Sequence, residues 1–247
     1  MSERLSRGLF VTGTGTGVGK TQVAAALAHL LAGRKLAVRP RKPVESGCRR
    51  EGNRLVPEDA RILLAASQSG EPLQRVCPYP LEPAIAPARA AKLAGQDLTL
   101  DDLRTACLDG VEETDFLLVE GAGGFYSPLT PDALNADLAA AVGLPILLVA
   151  EDRLGSLNHC LLTLEAIQRR GLTLMGVVLN RKDADLDPRM DNAADLARWL
   201  DGPVIATGRF DADTGACGWL ALLPALAPLA DRLADPCYEA DTHGKRR

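Results

Sequence analysis

The 247-residue sequence predicts an α/β fold, a three-layer sandwich in which a mostly parallel central sheet carries helices on both faces. Three observations predict it. Short apolar runs alternate with longer stretches of helical periodicity, the runs hold too few polar positions to face water on one side, and a glycine-rich turn links the first run to the first helix. A chain of this length buries one large core, so residues 1–247 are expected to form a single domain, with 242–247 a polar, flexible tail.

In order along the chain, Leu9-Phe10-Val11-Thr12 reads as the first strand and residues 20–31 as the helix that follows. A second strand is expected at 36–39, stopped by Pro40 and Pro43 because proline lacks the N–H that a ladder needs. Residues 116–119, 146–149 and 174–179 read as three further strands, apolar enough to lie in the middle of the sheet. Residues 133–142, 158–170 and 188–200 place apolar side chains three and four apart and read as covering helices, reached by right-handed crossovers. Residues 77–87 hold four prolines and read as a loop over the sheet edge that flanks a pocket. Beyond Gly202 the pattern fades into a short strand at 203–206 and a final helix at 219–233, with no internal repeat or low-complexity linker anywhere.

Composition narrows the class of partner. Hydrophobic residues make up 47% and charged residues 24%, and the net charge of -4 gives nucleic acid no footing, so small molecules are the expected partners. The six cysteines (Cys48, Cys77, Cys107, Cys160, Cys217, Cys237) form no C-x-x-C pair and no zinc-like spacing with His29, His159 or His243, and read as reduced thiols. The charged N-terminus runs directly into a strand, and no apolar run approaches the roughly 18–20 residues of a membrane helix. A cytoplasmic protein without membrane contact is expected.

The strongest motif is Gly13-Thr14-Gly15-Thr16-Gly17-Val18-Gly19-Lys20-Thr21, set between a strand and a helix as a phosphate-binding loop (P-loop) requires. Glycines let backbone N–H groups turn toward phosphate oxygens, and the helix N-terminus adds its partial positive charge at the same point. Lys20 is placed to reach terminal phosphates and Thr21 to ligate magnesium. Five residues rather than four separate Gly13 from Gly19, which narrows the subfamily. Magnesium with a nucleotide needs carboxylates as well. Glu120 closes the run 116–119 and opens Gly121-Ala122-Gly123-Gly124, at the edge of the sheet where open α/β folds bind ligands; capping a turn is its plainer use. Asp59 sits where a helix begins, and the helix dipole alone would also account for it. Lys42, in Lys42-Pro43-Val44-Glu45-Ser46-Gly47, follows the second strand; if that strand is central, its ammonium points into the same crevice, the alternative being an isolated surface lysine.

The segments 11–21 and 42–47, Val119-Glu120-Gly121-Ala122-Gly123-Gly124, Arg153-Leu154-Gly155-Ser156-Leu157-Asn158-His159 and Gly176-Val177-Val178-Leu179-Asn180 occur in this order. Together they resemble the dethiobiotin synthetase family over essentially residues 10–180, including its long P-loop. The resemblance implies that 7,8-diaminopelargonate, carbon dioxide or bicarbonate, and ATP yield the cyclic urea of dethiobiotin, through a carbamate and a carbamic-phosphoric anhydride, with ADP and phosphate released. It implies Lys42 and Lys20 as catalytic residues. It implies nucleotide contacts from Gly17, Val18, Gly19, Lys20, Thr21, Gln22, Asp59, Glu120, Gly121, Ala122, Gly123, Asn180 and Arg181, with Mg2+ on Thr21, Asp59 and Glu120. Substrate contacts fall to Thr16, Lys42, Ser46, Gly155 and Asn158, the last two coming from the neighbouring subunit of a homodimer. Asn180 is expected to present its amide to a purine edge.

Two departures stand out. Where the family commonly has Asp and Glu in the P-loop, this chain has Gly15 and Gly17, which predicts a more flexible loop and a slower enzyme. Where the family usually has Gly-x-Ile/Leu-Pro near the nucleotide, Ile205-Ala206-Thr207-Gly208-Arg209 stands instead, which predicts a relaxed nucleotide preference; strict dependence on ATP over GTP and CTP would refute that. Rival readings are a partitioning or regulatory P-loop ATPase, whose signature lysine would stand at Gly15, and an amidating enzyme of cobalamin synthesis, whose glutamine-hydrolysing domain does not fit in this length. A third is a nucleotide-binding homologue without turnover.

Overall fold

The apolar runs become the strands of one six-stranded sheet, ordered β10-β9-β8-β1-β7-β2, in which every neighbouring pair is parallel. The computed structural model describes residues 7–181, 187–209 and 212–235; the expected tail at 242–247 and Cys237 lie outside them. The elements are β1 (Gly8–Gly13), α1 (Lys20–Gly33), β2 (Val38–Arg41), β3 (Val44–Ser46), β4 (Arg49–Glu51), β5 (Arg54–Val56), α2 (Glu58–Ser67), α3 (Leu73–Val76), β6 (Tyr79–Leu81), α4 (Pro87–Leu93) and α5 (Leu100–Leu108). They continue with β7 (Phe116–Glu120), α6 (Asn135–Val142), β8 (Ile146–Glu151), α7 (Ser156–Arg169), β9 (Leu174–Arg181), α8 (Asn192–Ala197), β10 (Val204–Arg209), a 3-10 segment (Ala212–Leu222) and α9 (Leu223–Ala234).

Strand alternation divides the core between the two faces. Leu9, Val11, Phe116 and Leu118 pack with Val23, Leu27 and Leu31 of α1 and with Leu226 and Leu229 of α9. Phe10, Leu117 and Val119 turn the other way, onto Leu103 of α5 and Leu138 of α6. Because both faces are covered, Leu9-Phe10-Val11 of β1 and Phe116-Leu117-Leu118-Val119 of β7 are unbroken apolar runs rather than alternating ones. Residues 24–28 of α1, four alanines and one leucine, are all fully buried, and these small side chains let the helix lie close to the sheet that carries the P-loop.

Four expectations are corrected. Pro40 does not stop β2 but lies inside it, and β2 is an edge strand, not a central one; an edge position tolerates the missing N–H. The proline-rich stretch 77–87 is not wholly loop, since β6 pairs in parallel with β3. The expected helix at 219–233 is a 3-10 segment followed by α9, with Pro224 in the first turn of α9 and Pro228 inside it. The stretch Cys217–Ala234 does reach 18 residues at a mean hydropathy of 1.2, although Leu222, Leu226, Leu229, Ala230 and Leu233 are spent in the core against α1.

Candidate active site

A cleft of about 550 Å³ opens where the carboxyl ends of β1, β7 and β2 meet. Thr16, Gly17, Gly19, Lys20, Thr21 and Gln22 form one wall; Glu120, Ala122, Gly123 and Ser127 form the floor beyond β7. Lys42, Glu45, Ser46 and Asp59 stand opposite, and residues 84–87 close the rim, so the proline-rich stretch does flank the pocket.

The phosphate side is built by the backbone. Gly19 caps α1 in the left-handed conformation with φ 95°, and the helix begins with neither a side-chain cap nor an acid in its first turn. Its positive end is therefore directed to an anion. At Gly13 a Cβ would come within 2.8 Å of Val18 Cγ2, so a larger residue would force Val18 to shift. Lys20 Nζ donates to the Gly15 carbonyl at 2.8 Å, arching over the loop.

At the centre of the cleft, Lys42 Nζ donates to Glu120 Oε1 at 2.5 Å and to Asp59 Oδ2 at 2.9 Å. Thr21 Oγ1 donates to the same Glu120 oxygen at 2.9 Å. Burial works against the Lys42 charge, but the carboxylates of Asp59, Glu120 and Glu45 outweigh it and hold the ammonium well above the ordinary lysine range. Burial pushes the Glu120 carboxyl up despite Lys42 and Lys20. Asp59 keeps 40% of its side chain open to the cleft; burial of its carboxyl is outweighed by Lys42, Thr21 and Lys20, which hold it below the usual carboxylate range.

Magnesium chemistry fits this donor set. Glu120 Oε2 is buried with no hydrogen-bond partner, beside the Thr21 hydroxyl and the Asp59 carboxylate, and hard oxygen donors around one point are what the ion prefers.

Of the residues expected to contact nucleotide or substrate, Thr16, Gly17, Gly19, Lys20, Thr21, Gln22, Lys42, Ser46, Asp59, Glu120, Ala122 and Gly123 line this cleft, while Val18 and Gly121 lie outside its lining. Asn180 is placed elsewhere. It is fully buried near the end of β9, and its amide donates to the Val18 carbonyl at 2.8 Å while accepting from Thr207 Oγ1 at 3.3 Å. Its amide ties the end of β9 to the P-loop and to β10. Thr207 belongs to β10, so 205–209 lies within a strand. Arg181 is exposed and pairs with Asp152 at 3.5 Å. Gly155 and Asn158 are exposed at the start of α7, outside this cleft's lining.

Comparison with known proteins bears on what the cleft is for. The family model described as AAA domain matches residues 7–212. An ATP-dependent dethiobiotin synthetase of Anaeromyxobacter dehalogenans is 47% identical over 193 residues, covering 78% of this chain and 85% of the relative. The chain belongs to the dethiobiotin synthetase family. A second dethiobiotin synthetase, from Ralstonia nicotianae, is 42% identical over 198 residues, covering 80% of this chain and 86% of its own length. Among solved structures, the septum site-determining protein MinD of Pyrococcus horikoshii, complexed with Mg-ADP, has a TM-score of 0.55 at 16% identity, covering 92% of this chain and 95% of that one. A ParA family ATPase of Chlorobium tepidum has a TM-score of 0.53 at 15% identity, covering 91% and 98%. At that distance the likeness establishes the P-loop α/β fold alone.

Two polar residues on the cleft were not assigned a role from sequence. Ser127 Oγ accepts from Gly124 N at 2.8 Å and ties down the loop after β7. Glu45 was visible as an acid inside the Lys42–Gly47 segment, but its partners lie on α2, where its two oxygens accept from Asp59 N at 3.0 Å and Ala60 N at 3.1 Å. Burial and the neighbouring Asp59 push its carboxyl up to about 7, against Lys42 and the two N–H groups.

Proposed function

We propose that this chain closes 7,8-diaminopelargonate and carbon dioxide into dethiobiotin at the expense of ATP, through a carbamate and a carbamic-phosphoric anhydride. The observation that carries the reading is the convergence of Lys20, Thr21, Lys42, Asp59 and Glu120 on one cleft, in a chain 47% identical to an enzyme named for this product.

The diamine lies against Thr16 and Ser46, with its hydrocarbon along Ala84, Ile85 and Ala86. One amine adds to carbon dioxide and gives up a proton to solvent, and the Lys42 ammonium steadies the resulting carbamate charge. A carbamate oxygen attacks the γ-phosphorus and ADP leaves, with Lys20 and the loop amides neutralising charge as it develops. The second amine then attacks the carbonyl carbon, the C–O bond to phosphate breaks, the departing phosphate takes up the amine's proton, and the ring closes. Ring closure needs no nucleophilic side chain, since oriented intramolecular attack reaches effective molarities on the order of 10⁵–10⁸ M. Mg2+ held by Thr21, Asp59 and Glu120 would neutralise the phosphate oxygens.

Gly155 and Asn158 serve the neighbouring subunit of a homodimer and meet the substrate's carboxylate there. Their exposure beside Leu154, which is 82% exposed, supports this. Asn180 acts on the nucleotide through Val18, and Arg181 stands where the adenine is expected. The protein works in the cytoplasm. A reaction started with freshly dissolved ¹⁸O-labelled carbon dioxide tests the route: one labelled oxygen should pass into the released phosphate as dethiobiotin forms. Dethiobiotin formed with unlabelled phosphate refutes the anhydride, and absence of dethiobiotin refutes the function.

A further inference from the structure

Helix α2 presents Asp59 to the cleft from its first turn, yet it lacks a cap of its own. Its N-cap position is Pro57, which offers no side-chain acceptor. A Ser, Thr, Asp or Asn at that place would satisfy an orphan N–H locally. Instead the acceptor arrives from β3, where the Glu45 carboxylate takes both the Asp59 and the Ala60 N–H. The arrangement sets two acids side by side at a buried position, since Glu45 is only 7% exposed, and that proximity is unfavourable in itself. A local cap would serve α2 without that cost.

What it provides is a fixed relation between Asp59 and Lys42. Glu45 is three residues after Lys42, so one short segment grips Asp59 twice, by side chain through Lys42 Nζ at 2.9 Å and by backbone through Glu45. That segment is itself held, by Lys42 N to the Val76 carbonyl at 2.8 Å, Cys48 N to the Leu81 carbonyl at 2.9 Å and the β3–β6 pairing. We propose that Glu45 is a positioning residue, which aims the Asp59 carboxylate at the metal by clamping the first turn of α2. This rests on the reading of Asp59 as a metal ligand.

The test is Mn2+ binding to the ADP complex, followed by electron paramagnetic resonance of the free ion, alongside ADP affinity in EDTA. Partners that orient a metal ligand are worth about 10–100-fold in metal affinity. Glu45→Ala should weaken Mn2+ binding by that order and leave metal-free ADP affinity unchanged, with Glu45→Gln, which keeps one acceptor, falling between. A purely structural role would lower thermal stability without separating the two affinities. Unchanged Mn2+ affinity in both Glu45 variants, or equal loss of ADP affinity without metal, overturns the proposal. Asp59→Asn distinguishes the causes: if it too leaves Mn2+ affinity unchanged, the ligand reading has failed, and if it weakens Mn2+ while the Glu45 variants do not, only the positioning role has.

Discussion

Replacing Lys42 by alanine should damage stability and chemistry together, for one geometric reason. Its ammonium bridges Glu120 at 2.5 Å and Asp59 at 2.9 Å, and Glu120 is 1% exposed. Without it, Glu120 keeps only the Thr21 hydroxyl on one oxygen and nothing on the other. Breaking a buried pair by removing one partner costs about 3–5 kcal/mol. Asp59 keeps 40% of its side chain open to the cleft and absorbs its share of the loss in water, so the lower end, about 3 kcal/mol, is expected. For a chain of this size each kcal/mol moves Tm by roughly 2–4 °C, so calorimetry at neutral pH should show a fall of about 6–12 °C. Turnover should drop by about 10²–10³-fold, the usual effect of losing one preorganised charge at the reacting centre. Nucleotide affinity should change little, because Lys20 and the P-loop backbone are untouched. A variant melting within a degree of the parent and turning over normally would show that Lys42 is neither the counter-ion of the two acids nor part of the chemistry.

Gly121→Ala would place a Cβ 2.4 Å from Asn135 Oδ1, and overpacking of that kind costs about 1–3 kcal/mol; chemical denaturation should show the loss, and adding Asn135→Ala should recover part of it. Gly15 has open space around it and an ordinary φ, whereas Gly17 sits at φ +76°, where a side chain is strained by about 1–2 kcal/mol. Gly15→Asp is therefore the cleaner test of the slow-loop argument than Gly17→Glu: it should raise turnover, and an unchanged rate would remove the loop acids as the explanation. Burial works to raise the Asp137 carboxyl, but the Leu134 N–H and Arg170 outweigh it and hold it below the usual range. A depressed folded value contributes stability above the unfolded value, near pH 3.9, and loses it as pH falls through the folded one. Asp137→Asn should thus lose about 1 kcal/mol at pH 7 and progressively less as pH falls below the unfolded value, and a deficit that does not shrink would refute the pairing.

The parts legible in the sequence were those fixed by local chemistry. A strand apolar throughout, a glycine-rich turn and Lys20-Thr21 can be arranged in few ways, and Glu120 at the end of a second such strand falls beside them through the β1–β7 pairing. Lys42 was found for an imperfect reason, since its strand is an edge and Pro40 sits within it. β3 and β6 were missed because three-residue strands leave no periodicity to read, and β6 carries Pro80 at its centre. The roles of Asn180 and Glu45 depend on contacts across 162 and 14 residues, and neither contact leaves a mark at either end of the sequence. The Asp59 carboxylate could be recognised as a helix-start acid, but not the strand-borne clamp that replaces its cap.

The most direct measurement is mass spectrometry of purified protein mixed with 7,8-diaminopelargonate, bicarbonate and MgATP, beside a Lys20→Ala control. Dethiobiotin and ADP should appear in equal amounts with the parent chain and be lost in the control. ATP bound without any cyclic urea formed, or product made equally by Lys20→Ala, would contradict the assignment of this cleft.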